Sequence, residues 1–140
     1  MFGRKKDSSI ELTKLSSLIA EKVEVVGNIS FVDGLRMDGH VKGNVESKPG
    51  VKSLLVLSDQ GSITGNVRTY DAVINGTIVG DLVVEHFLEL QVNARVTGNI
   101  TYRQLRMDCG ASVDGKLLKT GEQGEQHYNV VELQNSGALA

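Results

Sequence analysis

The segment Gly110-Ala111-Ser112-Val113-Asp114-Gly115-Lys116-Leu117 matches a phosphate-binding loop, G-x-x-x-x-G-K, as far as its lysine. Such a loop cradles phosphates with backbone amides, and the Ser or Thr after the lysine holds magnesium. Leu117 stands at that place and no helical pattern follows, so no nucleotide is expected. His40, His86 and His127 have no metal-ligand spacing to one another or to Cys109, and neither metal nor organic cofactor is expected. The carboxylates are scattered singly, with no pair to share acid and base roles and no Asp cluster for calcium. The polar site of a β-helix polysaccharide lyase is therefore missing. One enzymatic alternative remains: Val23, Ile29, Leu35 and Val41 lie six apart, as in left-handed β-helix hexapeptide acyltransferases. The next apolar positions, Val45, Leu55 and Leu57, leave that grid, and such enzymes need a catalytic histidine in a protruding loop. The expectation is that the chain is not an enzyme.

What the sequence spends its residues on is repetition. A five-residue pattern, apolar-x-Gly-x-apolar, occurs six times, centred on Gly27, Gly43, Gly65, Gly80, Gly98 and Gly115, with gaps of 16, 22, 15, 18 and 17 residues. A period of this size marks a solenoid, whose units bury their apolar faces only against each other. Around each glycine, apolar and polar residues alternate as in short strands. Three apolar columns can be stacked. One follows the glycine (Ile29/Phe31, Val45, Val67, Leu82/Val84, Ile100/Tyr102, Leu117). A second lies farther on (Leu35/Met37, Leu55/Leu57, Ala72/Ile74, Leu88/Leu90, Leu105/Met107), and the first residue of each pentapeptide makes the third. Three short strands per repeat predict an all-β fold: a three-sided parallel β-helix of about six coils, right-handed by the crossover rule.

The long gap holds the Pro-Gly signal at Pro49-Gly50 and predicts a loop over residues 47–53 that bulges outward. The central glycines sit where alternation would aim a side chain inward, which predicts corners too tight for a Cβ. Asn follows four of them, at Asn28, Asn44, Asn66 and Asn99, and a column of amides can hydrogen-bond along the stack.

Composition narrows the class. A chain of 140 residues with 40% apolar residues can form one domain, and its three Phe, three Tyr and no Trp require an aliphatic core. A net charge of -2 gives no nucleic-acid footprint. The single cysteine, with no signal-peptide run and no membrane-spanning stretch, predicts a reducing, cytoplasmic location. The sequons at Asn28, Asn75 and Asn99 are then by-products of the repeat. Residues 1–17 read as a flexible tail, with a short capping helix on Ile10, Leu12, Leu15 and Leu18 as the alternative. Residues 18–118 are the β-helix domain, and residues 119–140, polar and without strand alternation, read as a disordered tail. In the first tail Met1 and Phe2 stand beside Arg4, Lys5 and Lys6, a short apolar and basic peptide suited to anionic lipid.

With these residues in view, the run Leu18 to Val45, with Gly27-Asn28-Ile29-Ser30-Phe31 and Gly34-Leu35-Arg36-Met37-Asp38-Gly39-His40-Val41-Lys42-Gly43-Asn44-Val45, resembles the opening of a bactofilin domain, and the later coils to Leu117 continue it. The loop at Pro49 departs from a minimal coil connection. The resemblance implies a bacterial cytoskeletal protein: a right-handed β-helix between disordered tails, polymerising without nucleotide into non-polar filaments through its ends. It further implies binding to the inner face of the cytoplasmic membrane by an N-terminal peptide, and scaffolding of cell shape or cell-wall enzymes. Independently of any family, uncapped end coils predict self-association, because exposed strand edges are pairing templates. Ile19, Val23 and Val25 at the first coil, and Leu105, Met107 and Leu117 at the last, are the expected polymer interface.

Overall fold

The structure is a computed structural model that describes residues 16–121 and the backbone of the strand Asn129–Leu133. Among these residues there is no helix; the chain winds as a parallel β-solenoid of six coils, three strands to a coil.

The sequence columns become three faces. The first is formed by β1 (Ser17–Ile19), β4 (Gly34–Met37), β7 (Leu54–Leu57), the second half of β9 (Val67–Ile74), the second half of β11 (Leu82–Leu90) and β14 (Gln104–Met107). The second face is β2 (Glu24–Val26), β5 (His40–Lys42), β8 (Ser62–Thr64), β10 (Thr77–Val79), β12 (Arg95–Thr97) and the start of β15 (Ser112–Lys119). The third is β3 (Ile29–Phe31), β6 (Val45–Ser47), the first halves of β9 and β11, β13 (Ile100–Tyr102) and the end of β15. Every one of these pairings is parallel, so each strand rests on its equivalent one coil away.

Register follows the apolar columns. Leu35, Leu55, Ala72, Leu88 and Leu105 are aligned along the first face. Val25, Val41, Ile63, Ile78, Val96 and Val113 run along the second. Ile29, Val45, Val67, Leu82, Ile100 and Leu117 run along the third. In the four inner coils all of these are buried, whereas Val25 and Ile29 in the first coil and Leu105 in the last are only partly covered. One corner is polar inside: Ser53 and Thr69 are buried and their hydroxyls lie 3.3 Å apart, with Thr69 Oγ1 donating to the Asp71 carbonyl. That satisfies groups whose burial would otherwise cost free energy.

The pentapeptide glycines do what their spacing predicts. From Gly43 to Gly115 each has φ between +145° and +157°, and a Cβ there would approach the carbonyl oxygen of the glycine one coil earlier to within 2.0–2.1 Å. Only glycine admits that conformation and that contact together. Lys48, Pro49 and Gly50 are exposed in the predicted bulge, and Gly50 turns with φ +81°.

Leu18 lies in strand β1 and is 60% exposed on the outside of the first face, so the alternative of a capping helix does not hold for it; Ile10, Leu12 and Leu15 are outside the described residues. One expectation changes, over the stretch from 119 to 140. β15 runs through Lys119, and β16 (Asn129–Leu133) pairs antiparallel with it, from Gly115↔Leu133 to Lys119↔Asn129. A β edge accepts any extended backbone, so a strand formed here without a clear alternation to announce it.

Candidate assembly interface

The ends of a solenoid are where its repeat stops being satisfied. At the first coil, Ile19, Val25 and Ile29 pack on the core from one side only and remain partly exposed, Val23 is 43% exposed and Val26 79%. Gly27 has the positive φ of its column, +132°, yet among the described residues nothing lies within 4 Å of where its Cβ would be, whereas the later glycines of the column find the preceding coil there.

At the last coil, Leu105 and Met107 are partly exposed on β14. Among the described residues β14 pairs with β11 alone and Ser112–Asp114 with β12 alone, so two of the three faces end there in strands with one unpaired edge. The third does not, because β16 covers it. Leu117 is consequently a correction: it is 3% exposed and its backbone is paired with Val131, so it is core beneath a strand and not an open end. Of the expected interface residues the structure brings Ile19, Val23 and Val25 to one end and Leu105 and Met107 to the other. Ile29, legible in the third column as its first-coil member, joins the first group. Met1, Phe2, Arg4, Lys5 and Lys6 lie outside the described residues.

A hydrogen-bond ladder runs the length of the third corner. The backbone N–H of Asn44 donates to Asn28 Oδ1 at 2.9 Å, that of Asn66 to Asn44 Oδ1, Asp81 to Asn66 Oδ1, Asn99 to Asp81 Oδ1, and Lys116 to Asn99 Oδ1 at 3.1 Å. The sequence predicted amides bonding along the stack; the observed acceptor is the side-chain oxygen and the donor is backbone. This explains why Asp81 serves in the column, since a carboxylate accepts as well as an amide oxygen. Lys116, which offers no acceptor, ends it.

Of the residues first considered for chemistry, the loop-like segment, His40 and His86 make structural contacts, Cys109 is a free and exposed thiol, and His127 lies outside the described residues. Ser112 N–H donates to the Ala94 carbonyl and Lys116 N–H to Asn99, so these amides of the loop-like segment are held by the neighbouring coil. His40 Nδ1 lies 2.6 Å from Ser62 Oγ. His86 Nδ1 lies 2.8 Å from Asp71 Oδ1 and its ring stacks on Tyr70 with centroids 4.8 Å apart. Among the described residues no group of three or more His, Cys, Asp or Glu gathers as a metal site, and no helix is long and apolar enough to cross a membrane.

The described residues thus form an all-β solenoid with three-strand coils, partly open at its ends and tied along one exposed corner by a hydrogen-bond ladder. The chain belongs to the bactofilin family: the family model described as bactofilin, polymer-forming cytoskeletal, matches residues 17–118. It is 26% identical over 102 residues to bactofilin BacO of Myxococcus xanthus (strain DK1622), covering 73% of this chain and 78% of that protein. It is 28% identical over 97 residues to bactofilin BacP of the same organism, where the match covers 66% of this chain but 40% of the relative. No solved structure matches.

Proposed function

We propose that this chain is the subunit of a cytoskeletal scaffold that assembles end to end, without nucleotide, into filaments without polarity. The observation that carries the reading is the pair of incompletely paired, partly apolar end coils. Stacking like on like, first coil on first and last on last, extends the aliphatic columns and joins unpaired edges through two alternating two-fold contacts. At about 25 cal/mol per Å² of apolar area, a contact of a few hundred Å² favours assembly with no nucleotide. The role is structural and not enzymatic. We place the filaments at the inner face of the cytoplasmic membrane, held by Phe2 with Arg4, Lys5 and Lys6, in support of cell shape or cell-wall morphogenesis, with cell-wall enzymes or membrane proteins as clients.

The test is a charge placed at an end. Val23→Arg and Leu105→Arg are compared with Thr64→Arg, an exposed outward position in the third coil. The end variants are expected to keep a β circular-dichroism spectrum and to stop at small oligomers in electron microscopy and sedimentation, while the control makes long filaments. End variants that fold and still form filaments as long as the control's would remove end contacts as the mechanism.

A further inference from the structure

The outward side chains of the three faces differ in one respect: whether the face matches itself when turned over. On the first face the middle outward column reads, coil by coil, Leu18, Arg36, Val56, Val73, Glu89 and Arg106, aligned by the strand register. Leu18, Arg36 and Arg106 are exposed, and Val56, Val73 and Glu89 are partly exposed. We propose that this face is a lateral interface on which a second copy of the chain lies antiparallel, joining neighbouring filaments in pairs.

The orientation follows from charge. A two-fold axis lying along the strands sets coil one opposite coil six, two opposite five and three opposite four. Val56 then meets Val73 at the centre, Arg36 of each copy meets Glu89 of the other, and Leu18 covers the aliphatic stem of Arg106. A two-fold axis along the solenoid sets the column against itself: Arg36 faces Arg36, Glu89 faces Glu89 and Arg106 faces Arg106, and like charges in opposition are unfavourable. The antiparallel arrangement is thus selected by residues on the face itself. Arg36 already lies 3.1 Å from Asp38 in an exposed pair, and Glu89, partly exposed, accepts from Gln91 Nε2 at 3.1 Å; a carboxylate has further lone pairs with which to accept from a guanidinium across the contact.

Neither other face has this property. The second reads Val26, Lys42, Thr64, Val79, Thr97 and Asp114, and turned over it sets Lys42 on Thr97 and Val26 on Asp114. The third reads Ser30, Glu46, Arg68, Val83, Thr101 and Leu118, where Arg68 would meet Val83 and its guanidinium is already 3.2 Å from Glu85.

Size explains why the contact belongs to filaments. Six coils at about 4.8 Å by four residues at about 3.3 Å give roughly 400 Å² per copy, less than a stable pair of free subunits requires. The strength of the proposal, though not its geometry, therefore rests on end-to-end assembly, which repeats the contact along the filament.

Charge exchange and cross-linking distinguish face pairing from end-to-end assembly. Wild type, Arg36→Glu, Glu89→Arg and the double exchange are compared in electron microscopy at low salt. Wild type is expected as paired filaments, each single variant as single filaments of unchanged length, and the double exchange as pairs again. In a Cys109→Ser background, a mixture of Arg36→Cys and Glu89→Cys chains at high concentration is expected to form a 36–89 link with a short bismaleimide. Arg36→Cys alone should not link to itself, because its copy lies three coils away, about 14 Å. The cross-link needs no filament, so its presence supports the face contact even if end assembly fails. Pairs that persist in the single variants, a double exchange that stays single, or a 36–36 link in place of 36–89 overturns the proposal.

Discussion

At the scale of single residues, the glycine column offers an internal comparison. Gly98 and Gly27 share a positive φ, but a Cβ at Gly98 would meet the Gly80 carbonyl oxygen at 2.1 Å while one at Gly27 meets nothing within 4 Å. Gly98→Ala therefore combines backbone strain with a backbone clash and is expected to cost about 2–5 kcal/mol. Gly27→Ala bears the strain alone, about 1–2 kcal/mol. If the first coil is an assembly surface, Gly27→Ala should also shorten filaments out of proportion to its small loss of melting temperature. A melting temperature equally lowered in both would refute the packing account. Tyr102 gives a pH signature: burial raises its pKa above the ordinary 10.0. Its neutral form is favoured in the folded chain, so the unfolded chain loses the proton first as pH rises. Stability should thus be unaffected below about pH 9 and fall as pH passes 10, and Tyr102→Phe should blunt that fall in alkaline melts. Equal alkaline slopes in the two proteins would show that Tyr102 is not the cause.

At the scale of elements, β16 stands out because it breaks the flatness of an end. It adds one strand, about 4.8 Å thick, to the third face beyond β15, while no described strand covers β14 or Ser112–Asp114. A second last coil approaching from outside meets this ridge before the first two faces can touch. Removing residues 122–140 is then expected to lower the concentration at which C-terminal ends join. Locking β16 with Leu118→Cys and Val130→Cys, a register pair, in a Cys109→Ser background should stop assembly at dimers joined by their first coils until reductant is added. Light scattering that finds the locked and truncated chains assembling like wild type would show that β16 does not gate the end. This strand also marks the limit of what the sequence disclosed. The three columns and their register were legible because one glycine per coil, held by both φ and a backbone contact, gives the repeat a fixed origin. The end residues Val23, Val25, Leu105 and Met107 follow from counting columns outward. β16 carries no glycine and joins by backbone pairing, so Asn129–Leu133 leaves no periodic trace, and the column count alone makes Leu117 look like an open position because it does not contain the strand that covers it. At Leu18 two readings compete, since its i, i+3 spacing from Leu15 also fits a helix face; the edge of β4 decides for the strand by pairing Leu18 with Arg36.

At the scale of the whole molecule, stacking changes what a weak tail can do, and the membrane role proposed above depends on that. Each of Arg4, Lys5 and Lys6 near an anionic surface contributes about 1 kcal/mol, and Phe2 adds one aromatic ring at the headgroup boundary. A single subunit held by so little exchanges freely with solution. A filament presents one such peptide per subunit on a common body, and linked weak sites gain roughly two to four orders of magnitude in apparent affinity when geometry lets them engage together. Membrane binding should therefore follow polymerisation. In co-sedimentation with vesicles containing phosphatidylglycerol, wild-type filaments are expected to pellet. The chain carrying Phe2→Ala, Lys5→Ser and Lys6→Ser should form filaments that stay in solution. The chain carrying Val23→Arg with Leu105→Arg, whose tail is intact, should also stay largely in solution, and raised salt should release the wild type by screening the basic residues. Pelleting of the tail variant equal to wild type would remove the N-terminal peptide as the anchor. Pelleting of the end variant equal to wild type would show that one tail suffices and that avidity plays no part.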